Sequence, residues 1–258
     1  MVTQGVSMRF ARAPDGAVRR SRVRELTGAD EMAVDGAGTA SALALLGRVA
    51  DVEGGGVDAL TASDRDRLLA AVYRATFGDR VQSSPTCAGC GKPFDVAFSL
   101  SALVRDLDAG AQADDALRLS DGRPLHVPDA RDEMAAGDLP CADGVTALAT
   151  AAGVAADGPV GEAAFVLQRD APIVDVDLAV TCPECESAQS VAFDLQSFLL
   201  LRILAERRRL TAEVHTLAST YGWSLQEILA MPRRRRRAFI ATIDDAQRRA
   251  AGMIPWSA

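Results

Sequence analysis

The period of the apolar positions changes several times along the chain, and each change predicts an element. Val6, Met8 and Phe10 alternate with polar residues, Pro14-Asp15-Gly16 supplies a turn, and Val18 to Val23 returns, so residues 5–26 predict a β-hairpin. Thr27 is placed to cap a short helix over residues 28–34, which Gly36 and Gly38 end. Residues 40–52 read as a helix rich in Ala and Leu. After Gly54-Gly55-Gly56, Thr61 with Asp64 three residues on predicts a capping box. The helix it opens carries Leu68, Leu69, Val72 and Tyr73 and stops near Gly78; residues 79–84 lead on as a strand or loop.

Residues 106–172 follow a different pattern. Residues 109–115 read as a loose connector, and Leu117 to Val127 as a second hairpin around Asp121-Gly122. Three short helices are predicted over 129–136, 144–152 and 160–169, and residues 173–180 alternate apolar and acidic as a strand. From Asp194 the chain turns helical. One long helix is predicted from Leu195 to about Thr220, with Phe198, Leu199, Ile203, Leu204, Leu210, Val214 and Leu217 at helical spacing and Gly222 as its stop. Ser224 with Glu227 forms a second capping box before a short helix that ends at Met231-Pro232. Arg233 to Arg249 predicts a last helix with Phe239, Ile240 and Ile243 on one face.

Two cysteine pairs punctuate this pattern, Cys87-Ala-Gly-Cys90 and Cys182-Pro-Glu-Cys185. A CxxC turn offers two corners of a metal tetrahedron and two such turns complete it, so the four predict one structural zinc site. Written from each first cysteine, CAGCGKPFDVAFSLSALV and CPECESAQSVAFDLQSFL share, without a gap, both cysteines, Val96-Ala97-Phe98 against Val191-Ala192-Phe193, and Leu100 against Leu195. Each half is a cysteine knuckle, a strand and a helix capped by Ser99 or Asp194, and two such units can pair around a shared metal. A thioredoxin-like dithiol would place one CxxC at a helix start, whereas here each pair precedes a strand. Four thiolates leave no open coordination position for catalysis, and Cys141 has no partner nearby in the sequence.

The predicted fold class is therefore α+β: an N-terminal β-hairpin and helices, a split pseudo-symmetric zinc-ribbon-like core with an inserted α/β region, and a C-terminal helical arm. The corresponding divisions are residues 1–105, 106–172 and 173–258. Composition adds limits. Across 258 residues the net charge is −7, which argues against a general nucleic-acid binder. No apolar run reaches the roughly 18 residues that span a bilayer. The start, Met1 to Phe10, lacks the basic and apolar stretches of a signal peptide, so a cytoplasmic location is expected, where paired thiols read as metal ligands. The histidines, His126 and His215, stand near no nucleophile motif, and GxGxxG, GxxxxGK[ST] and HExxH are all absent, so no enzymatic activity is expected.

Charge is unevenly spread. Residues 105–143 hold ten acids and four arginines, whereas residues 202–237 hold nine arginines and three glutamates. Either these are solvated faces, or the two regions meet different partners or each other. Arg233-Arg234-Arg235-Arg236-Arg237 opens a helix, where the helix dipole disfavours positive charge. Five successive arginines point all around a helix. Two readings stand for them: binding of an acidic surface, or a solvated helix start with one or two arginines in salt bridges.

The stretch from Glu213 to Ile243 carries a family resemblance. Its elements are the helix with His215 and Leu217-Ala218, then Tyr221-Gly222-Trp223, the Ile228-Leu229 helix, and the arginine-rich helix to Ile243. It resembles the baseplate proteins of contractile phage tails, of the T-even baseplate hub type, whose relatives occur in gene clusters of extracellular contractile injection systems. The Pro14-Asp15-Gly16 hairpin followed by Val23 to Glu31, and the Cys182-Pro-Glu-Cys185 knuckle, also look like that family, while the middle region matches least. The resemblance implies a role in building the baseplate hub, as assembly chaperone or minor component, binding hub or spike proteins through residues such as Tyr221 and Arg233–Arg237. The alternative is a zinc-ribbon regulatory or nucleic-acid-binding protein with the arginine run on phosphate. The absence of an aromatic stacking platform beside that run weighs against it.

Overall fold

The computed structural model describes residues 3–12, 18–53, 56–111, 117–155 and 157–251. Helices and antiparallel hairpins alternate in it, a mixed fold of the α+β class. Strand β1 (Thr3–Arg12) pairs with β2 (Val18–Arg24), and β2 with β3 (Ala50–Val52), so the sheet order is β1-β2-β3. The Pro14-Asp15-Gly16 turn expected between the first two lies outside the described residues. Thr27 caps α1 (Gly28–Ala33) in a reciprocal box with Asp30. Helix α2 (Thr39–Val49) stops short of the expected Val52. Residues 50–52 instead take up the free edge of β2, with Val23 opposite Ala50 and Ser21 opposite Val52, and the ladder satisfies their backbone groups in place of another helical turn.

Helix α3 (Ala62–Phe77) runs through the main core, burying Leu68, Leu69, Val72 and Tyr73. Its first turn is polar and also buried, and each side chain there joins a different part of the fold. Ser63 Oγ donates to the Pro172 carbonyl at 2.8 Å. Asp64 accepts from the backbone of Arg9 at 2.6 Å and of Phe10 at 3.0 Å. Arg65 pairs with Glu133 at 2.6 Å, and Asp66 accepts from Val174 N–H at 2.7 Å. The capping box expected here is thus only half made. Thr61 accepts from Asp64 N–H at 3.2 Å, but the Asp64 carboxylate serves β1 instead of the Thr61 backbone.

Next come β4 (Arg80–Ser83), β5 (Val96–Ser99) and α4 (Leu100–Gly110), whose last turn occupies the start of the expected connector. The inserted region has its own small core of Leu117, Leu119, Leu125, Val154, Ala163 and Val166. Around Gly122 (φ 86°) the chain makes a tight turn with only an isolated bridge, Arg118 to Pro124, so the second hairpin is shorter than expected. Proline at 124 lacks the N–H that a longer ladder needs. Helices α5 (Ala130–Gly137), α6 (Cys141–Ala151) and α7 (Val160–Asp170) follow, close to the predicted spans. Then β6 (Asp175–Thr181) and β7 (Ala188–Asp194) form a third hairpin.

The predicted long helix is two, α8 (Leu195–Ala205) and α9 (Arg207–Tyr221), with Glu206 at the joint. That break lets Glu206 turn its carboxylate to Arg233 and to Arg237, the latter at 2.9 Å. Helices α10 (Leu225–Leu229) and α11 (Arg233–Ala250) complete the arm, which has its own core of Leu217, Ile228 and Ile243. The arm docks on α1. Gly28 N–H donates to the Met231 carbonyl at 3.3 Å and Arg233 N–H to the Leu26 carbonyl at 3.1 Å. Beneath them the Glu31 carboxylate receives Arg233 at 2.9 Å and Arg236 at 2.5 Å, and Glu213 receives Arg236 at 3.2 Å.

Two outcomes test this packing. A Cβ at Gly28 would stand 2.8 Å from Leu229 Cδ2 and 3.1 Å from Leu229 Cα, whereas at Gly47 on α2 it would meet only Val57 Cγ2, at 3.8 Å. Gly28→Ala is therefore expected to cost about 1–3 kcal/mol, and Gly47→Ala to be neutral or stabilising by up to ~1 kcal/mol. Both are read from urea midpoints, and equal midpoints for the two variants would contradict the arm's seat on α1.

The second concerns Asp66, whose burial pushes its carboxyl up to about 6, against the pull of Val174 N–H and Arg65, while the Asp194 charge adds to the rise. The folded chain then holds this proton more tightly than the unfolded one. Its contribution is full below the unfolded value near 4 and is lost as pH rises through about 6. Asp66→Asn keeps an acceptor for Val174 without the charge. It is expected to gain up to roughly 3 kcal/mol relative to the parent at neutral pH, and to lose that gain near pH 4. An advantage independent of pH would refute the account.

Candidate metal centre

The two cysteine pairs sit at the ends of hairpins that repeat each other in detail. A shift of 95 positions carries Cys87 to Cys182 and also carries one strand register onto the other. Arg80 opposite Ser99 becomes Asp175 opposite Asp194, and Ser83 opposite Val96 becomes Leu178 opposite Val191. At the hairpin bases, Leu100 N–H donates to the Asp79 carbonyl and Leu195 N–H to the Val174 carbonyl, both at 2.9 Å. Ser99 caps α4 by accepting from Ala102 N–H, and Asp194 caps α8 by accepting from Ser197 N–H. The correspondence therefore extends upstream of the cysteines, where over residues 79–86 the sequences share only Val81 with Val176 and Thr86 with Thr181. One difference is local. Pro85 and Pro93 interrupt the first ladder, leaving Thr86 to Pro93 as an isolated bridge, where the second runs unbroken from Thr181 to Asp175.

The knuckles also match. Cys87 O accepts from Gly91 N–H and Cys182 O from Glu186 N–H, both at 2.9 Å. Cys87 N–H donates to the Lys92 carbonyl at 2.9 Å and Cys182 N–H to the Ser187 carbonyl at 3.0 Å. This turn requires a left-handed residue after the second cysteine, and the structure has Gly91 (φ 72°) and Glu186 (φ 57°) there. Glu186 is the one non-glycine residue with positive φ among the described residues.

Side chains tie the halves together. Phe98 and Phe193, equivalent under the shift, meet edge to face with centroids 5.0 Å apart, a contact worth about 0.5–1.5 kcal/mol beyond its buried area. Lys92 Nζ lies 2.8 Å from Glu184 Oε2, and Gln189 accepts from Ala88 N–H at 2.9 Å. Cys87 and Cys182 are buried with Phe94, while Cys90 and Cys185 lie nearer the surface.

All four sulfurs lie within 4.8 Å of one another. Two close approaches cross between knuckles, Cys87 to Cys185 at 3.6 Å and Cys90 to Cys182 at 3.9 Å. These are not disulfide distances. A tetrahedral metal with bonds of about 2.3 Å separates its sulfurs by ~3.8 Å, so the four could hold a metal ion with little movement. The electrostatics agree. The backbone N–H groups of Cys90 and Gly89 pull the Cys87 thiol down to about 7. Ser187 N–H favours the Cys185 thiolate, yet the neighbouring sulfurs and burial outweigh it and push that thiol up to about 12. Four thiols this close cannot all ionise unless a cation stands among them.

Cys141 is exposed and outside this group, and His126 and His215 are both exposed. The arginine run divides. Arg233 is 3% and Arg236 0% exposed, both paired with carboxylates inside the protein, while Arg237 reaches Glu206 and Glu213 from a half-buried position. Only Arg234 and Arg235 are exposed, which narrows the partner-binding reading to them. The arm's buried arginines thus meet glutamates of α1 and of the arm itself, not the acidic insert. Tyr221 is 39% exposed and stacks on Trp223 at 4.6 Å, with Phe239 edge-on to both. The polar start of α3, Ser63 to Asp66, escaped sequence reasoning because such a run at a helix start ordinarily faces water. Its one signal was the density of charge just ahead of an apolar helix.

No protein-family model, no curated protein and no solved structure matches the chain. Among the described residues no helix is long and apolar enough to cross a membrane.

Because the two knuckles are equivalent, Cys87→Ser and Cys182→Ser are expected to abolish tight metal binding to a similar degree. Structural metal sites of this type contribute about 10–16 kcal/mol in small peptides, as much as a whole domain's stability. Each variant should therefore lose the cooperative unfolding of the hairpin pair, followed by metal analysis and circular dichroism. At the left-handed positions the expected signs are opposite: Gly91→Ala costs about 1 kcal/mol, and Glu186→Gly costs nothing or stabilises slightly. Full metal content and unchanged melting in both serine variants would overturn the assignment.

Proposed function

We propose that this chain is an assembly chaperone or minor component of the baseplate hub of a contractile phage-tail-like injection system. It acts by protein–protein binding and carries one structural zinc at Cys87, Cys90, Cys182 and Cys185. The observation that carries the reading is the closed set of four sulfurs at the root of a two-part scaffold. A metal held there has no coordination position left for substrate. Zinc fits an all-thiolate tetrahedral donor set better than the oxygen-seeking cations do. The resemblance of residues 213–243 to baseplate hub proteins supplies the machine, and the arm supplies a surface. At its outer end Tyr221 and Leu225, 39% and 58% exposed, lie on the same arm as the unburied Arg234 and Arg235. An aromatic anchor beside exposed guanidinium groups suits the acidic, partly apolar face of a protein partner. A metal held by four thiolates fits a reducing compartment such as the cytoplasm, where this role would be carried out.

The test is co-purification of the tagged chain from cells expressing the whole gene cluster. Recovery of a hub or spike protein is expected, with about one zinc per chain. The triple variant Tyr221→Ala, Arg234→Glu, Arg235→Glu should cut that recovery by about tenfold or more without changing the zinc content. Recovery of nucleic acid with no hub protein would sink the proposal and favour the zinc-ribbon regulatory alternative.

A further inference from the structure

Strand β1 lies at the edge of its sheet, and its outer side does not face open solvent. It forms one wall of a groove of about 650 Å³ whose floor and far wall are α3 and α4. In an antiparallel ladder alternate backbone groups of an edge strand point away from the neighbouring strand, ready to pair with another chain. At Arg9 and Phe10, where the β1–β2 register is irregular, the N–H groups are taken by the Asp64 carboxylate. From Gln4 to Met8, among the described residues, the backbone makes no hydrogen bond other than those to β2. The open stretch is thus bounded on one side by a built-in cap.

The groove has room for a strand and the charge to select one. Ala70 and Ala71 form its floor, and their small side chains leave space beside β1, where an added strand would run about 4.8 Å away. Among the described residues Arg9, Arg67, Arg74 and Arg105 line it with one acid, Asp108. Arg67 pairs with Asp108, and Arg74 Nε stands 3.2 Å from Asp79. Arg105 is exposed and makes no ion pair among the described residues. Arg67 and Arg74 bracket the two alanines at a spacing of two helical turns, roughly 10 Å, or about three residues of an extended chain.

We propose that this groove receives an extended, acidic segment of a partner protein. The segment adds to β1 as a further strand over Gln4–Met8 and sets its carboxylates against Arg67, Arg74 and Arg105. Its side chains over Ala70 and Ala71 are small or β-branched, with acids to either side. A second copy of this chain is a poor occupant, because β1 itself bears Arg9 and Arg12 and no acid to set against Arg67, Arg74 and Arg105. A nucleic acid would need stacking faces, and the groove's one aromatic among the described residues, Phe10, packs against the core of the inserted region. The inference requires only the edge and its arginines, and stands whichever machine the protein serves.

A random octapeptide library displayed on phage, selected against the full-length protein, tests it. Enriched peptides are expected to be free of proline and to carry Asp or Glu on either side of Val, Ile or Thr. A synthetic copy should slow amide exchange over Gln4–Met8, and should bind at least about fivefold more weakly to Arg105→Glu but not to Arg105→Lys. Failure to enrich any peptide, enrichment without acidic bias, or binding without exchange protection would each overturn the proposal. So would equal displacement of the peptide by an eight-nucleotide single strand. Protection of Gln4–Met8 in a concentrated, peptide-free dimer would give the edge to a second copy and overturn it as well.

Discussion

Four sulfurs held within 4.8 Å of one another could hold a metal ion, and two halves of the fold meet at that cluster. Two hairpins contribute two sulfurs each, so neither half can complete the set alone. Once paired, the halves bring Phe98 against Phe193, and this contact opens a line of rings through Phe198 and Tyr73 to Phe77. In a chain with only 5% aromatic residues, five of them lie on that line. The helices leaving the two hairpins, α4 and α8, start at equivalent positions with equivalent caps. The sulfur cluster, the rings and the helix starts together orient what is attached to them.

A second junction works by different physics. The line of rings ends at Phe77, which lies between the guanidinium groups of Arg202 at 4.2 Å and Arg233 at 4.7 Å. Beyond it Glu31, Glu206 and Glu213 gather Arg233, Arg236 and Arg237. Burial, with the charges of Arg237 and Arg236, pulls Arg233 down to about 10, and the Glu31 carboxylate opposes that fall. A buried ion network of this kind adds little net stability relative to apolar packing, but losing one partner costs about 3–5 kcal/mol. Its geometric demands fix one seat for the arm on α1. The apolar contact at that seat, Gly28 against Leu229, could slide; the paired charges cannot.

Much of this was legible in sequence because it rests on local chemistry. The cysteine spacing, the Val-Ala-Phe repeat and the Thr27 and Ser224 caps each state their own geometry within a few residues. The readings that needed correction depended on contacts far along the chain. Residues 50–52 leave helical order because the edge of β2 is vacant beside them, and Asp64 abandons its capping box because β1 offers two N–H groups. The break at Glu206 answers to arginines some thirty positions later. The arginine run shows the same limit. Its composition suggests a solvated or partner-facing surface, yet a helix starting at Arg233 puts positions 233 and 236 on one face, and Glu31 waits under that face from the other end of the chain.

The repeat also explains how two similar halves come to do different work. The shift that superposes the hairpins superposes α4 on α8, and after that the halves diverge. Helix α8 continues through Glu206 into α9 and the arm, so its far end is covered by the protein's own helices. Helix α4 ends at Gly110, where the chain leaves for the inserted region, and its flank with Val104 and Arg105 is left as the wall of the β1 groove. The insertion between the two knuckles therefore does more than lengthen the chain. By diverting the first half before it can build an arm, it leaves open beside α4 a flank that the second half covers for α8, and the exposed strand edge lies along that opening.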